Sequence, residues 1–233
     1  MLAPRLSLFN VFARVYDALT DQDPWRAQIL TMLGHVDARR PGLRVLDLGC
    51  GPGVSAFALG GLLGSDARVW GVDNAAAMIE RARRHQARRY PHLTGVCFLH
   101  ADACALPFAD GAFDLAVGHS FLYLVPDPAG VLREARRLLA PGGALVLMEP
   151  RARGSLAAAA WRSRRHARAL VAAPLATLRF VASMVAWRVV SQLKGRLSPA
   201  RVEPLVRAAG FANVAFAPTL GGLGMHVVAR VDP

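Results

Sequence analysis

The fold is decided by the stretch Val45-Leu46-Asp47-Leu48-Gly49-Cys50-Gly51-Pro52-Gly53, in which an apolar strand that carries one acidic residue runs into three alternating glycines. Valine and leucine are typical of a buried parallel strand. Glycines just past the end of such a strand let the backbone pass close to a ligand, where any Cβ would collide. This order is typical of a loop that holds a nucleotide-type cofactor.

The acidic residue Asp47 helps to separate two kinds of nucleotide site. A carboxylate before the glycines would lie near a cationic group, whereas a phosphate-binding loop would avoid a negative charge there. This favours S-adenosylmethionine over a dinucleotide. The dinucleotide alternative stays open, because Gly51-Pro52-Gly53-Val54-Ser55-Ala56 also fits its pattern and Asp73 follows about 20 residues later.

Two further apolar strands end in carboxylates. Val69-Trp70-Gly71-Val72-Asp73-Asn74 precedes a helical stretch, and ribose hydroxyls in either cofactor would suit Asp73. Val96-Cys97-Phe98-Leu99-His100-Ala101-Asp102-Ala103 follows, and Asp102 is placed to accept a hydrogen bond from the exocyclic amine of an adenine. A third strand that ends in an acidic residue fits S-adenosylmethionine, the methyl donor.

These motifs, in this order, resemble the class I S-adenosylmethionine-dependent methyltransferases over roughly residues 43–150. Gly111-Ala112-Phe113-Asp114-Leu115-Ala116-Val117-Gly118-His119 is similar to the family's fourth strand, and Leu139-Ala140-Pro141-Gly142-Gly143-Ala144-Leu145-Val146-Leu147 to its turn into the fifth. The resemblance implies an α/β, Rossmann-like fold with a mainly parallel seven-stranded sheet, an antiparallel last strand and helices on both faces.

The resemblance also implies how the cofactor is held. Gly49, Gly51 and Gly53 would pass beneath its methionine part, while Asp47 would receive the ammonium group, directly or through water. Asp73 would hold the ribose hydroxyls. The other cofactor residues implied are Asn74 and Met78 at the adenine ring, Asp102 and Ala103 at the adenine amine, and Gly118 and His119 at the amino-acid end.

Within this family the chain is most similar to the ubiquinone/menaquinone C-methyltransferases and to related small-molecule and lipid methyltransferases. Phe12-Ala13-Arg14-Val15-Tyr16-Asp17 looks like their N-terminal segment with a Tyr-Asp pair. Thr219-Leu220-Gly221-Gly222-Leu223-Gly224-Met225-His226-Val227-Val228 is similar to their terminal strand after a Gly-Gly turn. The interval 151–196 departs from their pattern, because it is longer and more basic than expected.

Methyl transfer requires few protein groups, since the sulfonium methyl is already activated and positioning lowers much of the barrier. A base is needed for a protonated nucleophile. His119 is the strongest candidate, because it follows a strand at the ligand-binding edge and imidazole titrates near neutrality; a wall residue beside the cofactor is the alternative. Tyr123 would orient a substrate hydroxyl or merely pack, and Tyr16 would close over the cofactor. Glu149 and His226 are weaker candidates.

The chain of 233 residues is 54% hydrophobic, which suits one domain with a substantial core. Its predicted parts are an N-terminal helical cap (1–40), a cofactor-binding core (43–150), a basic and apolar helical insertion (151–197) and a C-terminal helix with strands (198–233). Strands are predicted near 43–49, 67–73, 94–100, 113–118, 143–149, 212–217 and 224–231. Helices are predicted within 6–38, near 54–64, 75–90 and 128–140, and from Ser198 to Gly210.

The three cysteines, Cys50, Cys97 and Cys104, are too few and too unevenly spaced for a disulfide framework, which indicates a reducing compartment and the cytoplasm. The histidines and cysteines lack metal-ligand spacing, so no metal site is predicted. The apolar stretch 6–13 is interrupted by Asn10 and is interpreted as a helix, not a signal.

The interval 151–196 carries ten arginine and lysine residues and no acidic residue. An arginine-rich composition explains part of the net charge of +12 but not the missing acids. Interleaved tryptophan and aliphatic residues are typical of helices with apolar and cationic surfaces. Three uses stay open: a cover for the substrate pocket, peripheral membrane contact through 155–195, or nucleic-acid contact without a recognisable module. Charges and Pro174 interrupt the apolar run, so no transmembrane helix is predicted.

The sequence therefore predicts methyl transfer from S-adenosylmethionine to a small, largely apolar acceptor. A quinol, a phenol, a polyketide-type natural product or a lipid head group would fit, because 155–195 offers few polar side chains for a polar metabolite. A nucleotide-dependent oxidoreductase and a non-catalytic, cofactor-binding partner protein are the alternatives.

Overall fold

The computed structural model describes residues 16–38, 40–154 and 173–233. The part of the predicted N-terminal cap before residue 16 and the first part of the basic interval, 155–172, lie outside the described residues. Among the described residues, none of the helices combines the length and the hydrophobicity of a transmembrane span.

Seven strands form a single sheet in the order β3-β2-β1-β4-β5-β7-β6. Neighbouring strands among the first five run parallel, whereas β7 lies antiparallel between β5 and β6. The predicted fold class is confirmed. The strands are β1 (Arg44–Leu48), β2 (Arg68–Asp73), β3 (Val96–His100), β4 (Phe113–His119), β5 (Leu139–Pro150), β6 (Ala212–Thr219) and β7 (Gly224–Arg230).

Six helices of ten or more residues accompany the sheet in the described ranges, and residues 16–20 are also helical. Short 3₁₀ turns follow β4 and β6, at Leu122–Leu124 and Leu220–Gly222. The long helices are α1 (Asp23–Leu33), α2 (Val54–Leu63), α3 (Ala76–Arg89), α4 (Pro128–Leu138), α5 (Pro174–Lys194) and α6 (Pro199–Ala208).

Two of the predicted boundaries around α4 and β5 need correction. The helix predicted to reach residue 140 ends at Leu138, and the strand predicted from 143 begins at Leu139. The early start arises because Leu139 pairs with Phe113. The register then shifts, with the extra residues in β5, and regular pairing resumes at Leu115 and Ala144.

Strand β1 lies in the interior of the sheet, between β2 and β4, and has apolar residues on both faces. Leu46 and Leu48 belong to a buried cluster that includes Val131 of α4, whereas Val45 packs in a second cluster that includes Ile29 of α1. Alternate residues of a strand point to opposite faces, so each face is covered by helices. This arrangement places the glycine loop after β1 at the middle of the carboxyl edge, where ligands bind in open α/β sheets.

Candidate active site

The glycine loop has backbone angles that favour glycine at three alternate positions. Gly49, Gly51 and Gly53 have φ values of 67°, 53° and 94°. A Cβ at Gly49 would overlap the ring of Phe121, and one at Gly53 would lie 2.6 Å from Cε2 of Phe57. The loop therefore passes close to aromatic rings of the protein itself, which leave no room for a side chain at Gly49 or Gly53.

Asp47 is fully buried in β1, and burial raises its pKa to about 7. Its Oδ2 accepts a hydrogen bond of 2.5 Å from Oγ of Ser55, whereas Oδ1 has no hydrogen-bond partner among the described residues. Buried polar atoms are normally paired, so this oxygen has capacity for a further donor. This capacity is compatible with the predicted contact to the ammonium group of the cofactor, directly or through water.

Asp73, at the end of β2, holds the glycine loop in place. Its Oδ2 accepts a hydrogen bond of 3.0 Å from the backbone N–H of Gly51, and Oδ1 accepts one of 2.8 Å from that of Ala75. Burial raises the pKa of Asp73. Each carboxylate oxygen can accept more than one hydrogen bond, so the predicted ribose contact is compatible with these two.

The predicted adenine residues differ in accessibility. The side chains of Asn74 and Asp102 are exposed, beyond the ends of β2 and β3, and Asp102 accepts a hydrogen bond of 2.9 Å from the backbone N–H of Cys104. Met78 is 1% exposed and packs with Tyr16. Contact between Met78 and a ligand would therefore require Tyr16 to move.

A cavity of about 270 Å³ opens beside the glycine loop. Its wall is mostly apolar and comes from four parts of the chain: Tyr16, Leu19, Thr20, Trp25 and Ile29 near the N-terminus; Gly49, Cys50, Pro52, Val54 and Ser55; His119, Ser120, Tyr123 and Leu124; and Ser183, Ala186, Trp187 and Val190 of α5.

The cavity brings together four of the residues predicted from sequence, namely Tyr16, Gly49, His119 and Tyr123. The other nine are not among its lining residues: Asp47, Gly51, Gly53, Asp73, Asn74, Met78, Asp102, Ala103 and Gly118. Tyr16 also approaches the glycine loop, since a Cβ at Gly51 would lie 3.6 Å from its Cε1.

His119 ends β4 with its Nε2 buried and without a hydrogen-bond partner among the described residues. Its ring meets that of Trp25 edge-on at a centroid distance of 5.7 Å. Burial lowers the pKa of His119 to about 4, and His226 adds to the effect. The expectation that His119 titrates near neutrality is wrong, because the sequence pattern carries no information about this desolvation.

Glu149 supports the turn that carries Tyr123. Its Oε1 accepts hydrogen bonds from the backbone N–H groups of Phe121 and Leu122 at 3.1 and 2.7 Å, and Oε2 accepts one of 3.3 Å from that of Tyr123. Burial raises the pKa of Glu149 to about 7 and also raises that of Tyr123. Glu149 thus positions Tyr123 in the cavity wall, and the earlier interpretation of it as a base has no support in these contacts.

The segment before α1 is fastened to α3 by ion pairs. Asp17 accepts hydrogen bonds from Arg81, and Asp21 accepts one of 2.5 Å from Arg89. Asp17, Asp21 and His85 also bring three potential metal-ligand atoms within 4.8 Å of one another. Because arginines already pair with both carboxylates, ion pairing accounts for this cluster, and we assign no metal to it.

Four residues that sequence reasoning missed attach α5 and α1 to the site. Nε1 of Trp187 donates a hydrogen bond of 2.8 Å to Oγ of Ser120, and Nε1 of Trp25 donates one of 3.0 Å to Oγ of Ser183. Buried tryptophans usually find such an acceptor. Trp187 was visible in the sequence among the basic residues of 151–196, but its contact with Ser120 and the contact between Trp25 and Ser183 were not.

The family model described as "Methyltransferase domain" matches residues 39–210. The chain belongs to this methyltransferase family. The predicted family and its cofactor, S-adenosylmethionine, are confirmed.

Two curated relatives are named as quinone methyltransferases. The 2-phytyl-1,4-naphtoquinone methyltransferase of Synechococcus elongatus is 37% identical over 144 residues, which cover 61% of this chain and 61% of that protein. The demethylmenaquinone methyltransferase of Lactococcus lactis is 33% identical over 151 residues, covering 61% of this chain and 56% of that protein. The chain thus spans less than two thirds of the length of these relatives.

The crystal structure of a SAM-dependent methyltransferase from Aquifex aeolicus has the same fold. It matches with a TM-score of 0.65 at 17% sequence identity, covering 95% of this chain and 98% of that one. The match extends the shared fold beyond residues 39–210.

Proposed function

We propose that this protein transfers a methyl group from S-adenosylmethionine to a small, largely apolar acceptor with an aromatic or quinol ring. The observation that carries the proposal is the cavity beside the glycine loop, whose wall combines Trp25, Ile29 and Trp187 with few polar groups. Ligand sites of this kind obtain affinity from apolar contact and orientation from a small number of polar atoms. Here those atoms would come from His119 and Tyr123.

The names of the relatives support a ring-shaped acceptor. Both the cyanobacterial and the lactococcal relatives are named for quinone substrates. The apolar cavity wall is compatible with a compound of that class. A phenol or a polyketide-type ring has the same shape and polarity and belongs to the same proposal.

In the proposed reaction the cofactor supplies an activated methyl group, whose bond to sulfur breaks as a bond to the acceptor forms. The protein contributes positioning and exclusion of water, which lower the barrier of such a transfer. The indole rings of Trp25 and Trp187 would give the acceptor apolar contact beside the glycine loop.

His119 is proposed to accept a hydrogen bond from the acceptor hydroxyl through its buried Nε2. With a pKa of about 4, the imidazole is neutral at pH 7 and has an acceptor atom to offer. The same low pKa makes it a poor final holder of the proton, so a proton that it takes from the acceptor would pass on to bulk solvent. His119 thus orients the nucleophile, which refines the general-base role predicted from the sequence.

Methyl transfer can be tested by incubating the purified protein with S-adenosylmethionine and a panel of acceptors. The panel should contain naphthohydroquinones, simple phenols, phosphoethanolamine, RNA and a protein extract. We expect S-adenosylhomocysteine and a product 14 Da heavier with at least one hydroquinone or phenol, an increase that follows from replacing hydrogen by methyl. Transfer to nucleic acid or protein alone would refute the proposed acceptor class.

The sequence left two alternatives to methyl transfer, an oxidoreductase and a non-catalytic partner protein. Membership of the methyltransferase family disfavours the nucleotide-dependent oxidoreductase. A non-catalytic, cofactor-binding partner protein would bind S-adenosylmethionine but produce no S-adenosylhomocysteine with any acceptor of the panel.

A further inference from the structure

Helix α5 has two different faces along its 21 residues. One face lines the cavity through Ser183, Trp187 and Val190. The other carries large apolar side chains at least half exposed: Leu175, Leu178, Val181, Val185, Val189 and Leu193. Because successive members are three or four residues apart, they form one stripe along the helix.

The stripe differs from ordinary surface hydrophobicity. Single exposed apolar side chains are common, but contiguous apolar patches usually mark an interaction surface. Elsewhere in the described ranges, exposed large apolar residues occur singly, at Leu30 of α1 and Leu62 of α2. The exposed face of α5 therefore has the character of an interaction surface.

Charge indicates the chemistry of that partner. The interval 151–196, which contains α5, has ten basic residues and no acidic one. In its described part, Arg153, Arg179 and Lys194 are exposed. Arg179 also donates a hydrogen bond of 2.7 Å to the carbonyl oxygen of Ala18, in the segment before α1. A surface that combines apolar and cationic groups complements an anionic, partly apolar partner.

Other occupants fit these observations less well. A second copy of the chain would bring the same positive charges together across the interface. Nucleic acid would complement the charge but would leave six large apolar side chains uncovered. An anionic lipid surface satisfies both features, since aliphatic side chains enter the acyl boundary and cations remain at the head groups.

We propose that the exposed face of α5 docks on the surface of an anionic phospholipid bilayer. The helix lies in the interface with the stripe from Leu175 to Leu193 toward the acyl chains. The opposite face of α5 lines the cavity. The cavity would therefore lie about one helix diameter, or roughly 10 Å, from the lipid. Apolar acceptors concentrate in that phase. Docking itself does not depend on turnover, so it can fail or succeed independently of the proposed reaction.

The test measures co-sedimentation of the purified chain with vesicles of phosphatidylglycerol and phosphatidylcholine, compared with phosphatidylcholine alone. We expect binding to the anionic vesicles to be about tenfold stronger or more, and to weaken as salt is raised. The double variant Val181→Glu/Val185→Glu should bind anionic vesicles at least about tenfold more weakly than the wild type. Two aliphatic side chains leave the interface and two negative charges enter it.

The matched control is Leu30→Glu/Leu62→Glu, which makes the same kind of change at equally exposed positions on other helices. We expect it to bind vesicles within about twofold of the wild type, a difference smaller than RT. The thermal unfolding midpoint and S-adenosylmethionine binding show that both variants are folded. Should the α5 double variant fail to fold, the single variant Val189→Lys takes its place and should bind more weakly than wild type at high salt.

Three results would overturn the proposal. The first is equal or absent binding of the wild-type protein to the two kinds of vesicle. The second is a loss of binding that is the same in the control and in the α5 variant. The third is a stable wild-type dimer that becomes monomeric in the α5 variant, since this would identify a second copy as the occupant.

Discussion

Nε1 of Trp187 lies 2.8 Å from Oγ of Ser120 and donates a hydrogen bond to it. Ser120 follows directly after β4 and has a φ of 58°, an uncommon value for a residue other than glycine. Trp187 lies in the middle of α5, 67 positions later in the chain. This hydrogen bond joins the carboxyl end of β4, near the expected cofactor site, to α5. Both residues lie in the cavity wall.

Replacing Trp187 by phenylalanine should weaken acceptor binding and spare the cofactor. A net hydrogen bond is worth about 1 kcal/mol, so we expect the KM for the acceptor to rise about fivefold with little change in S-adenosylmethionine affinity. Steady-state kinetics and calorimetry check the two effects. Trp70→Phe is the control, because Trp70 packs on Phe108 and is not part of the cavity wall. An unchanged KM in Trp187→Phe would contradict this role.

Gly49 should be far less tolerant of alanine than Gly42. Both have φ near 70°, so the backbone strain introduced by alanine should destabilise the protein by about 1 kcal/mol at either position. At Gly42 a Cβ meets nothing within 4 Å, whereas at Gly49 it overlaps Phe121. We expect Gly49→Ala to lower the free energy of unfolding by about 1–3 kcal/mol more than Gly42→Ala, measured by urea denaturation. Equal losses would show that Phe121 moves aside freely.

Asp73→Asn should weaken S-adenosylmethionine binding. The amide has one oxygen and cannot accept from both Gly51 and Ala75, so either the glycine loop or the start of α3 loses its hydrogen bond, and the ribose loses its charged partner. A loss of about 1–3 kcal/mol in binding free energy is expected. Asp66→Asn, an exposed aspartate before β2, is the control and should bind normally. Calorimetry that finds the two variants alike would remove Asp73 from the site.

Glu149 should make stability fall as the pH rises. Burial raises its pKa from 4.5 to about 7, so the folded state holds a proton that the unfolded state has lost between these values. The contribution of Glu149 to the free energy of unfolding is therefore fully present below pH 4.5. It decreases between pH 4.5 and about 7, by about 3 kcal/mol at most. The buried histidines act in the opposite direction, since the pKa values of His119 and His226 are lowered to about 4.

Comparison with Glu149→Gln isolates this contribution, because the histidines are the same in both proteins and glutamine does not titrate. The free energy of unfolding, measured in urea from pH 4.5 to 7, should fall more steeply for the wild type than for the variant. Parallel curves would mean that the carboxylate is ionised throughout this range in the folded protein.

The sheet and the glycine loop were predictable because their signals are local. Val45, Leu46 and Leu48 form an apolar strand interrupted by Asp47, and the three glycines that follow it have positive φ values, which favour glycine. The Gly-Gly turn before β7 likewise indicated the terminal strand. In each case the residues that specify the element are neighbours in the sequence.

The cavity wall could not be predicted in this way. Trp25 meets Ser183 across 158 positions, and neither residue carries a pattern that points to the other. The pKa of His119 is also a tertiary property, since desolvation by packing elements lowers it. The sequence showed that α5 mixes apolar and basic residues. This mixture does not show which face of the helix lines the cavity and which face is exposed.

Calorimetric titration of the purified protein with S-adenosylmethionine, S-adenosylhomocysteine and NADH tests the central claim most directly, namely that the loop after β1 binds the methyl donor. We predict micromolar binding of both sulfur nucleotides, which corresponds to about −8 kcal/mol, and none of NADH. Binding of NADH without either sulfur nucleotide would contradict the assignment of the cofactor and, with it, the proposed methyl transfer.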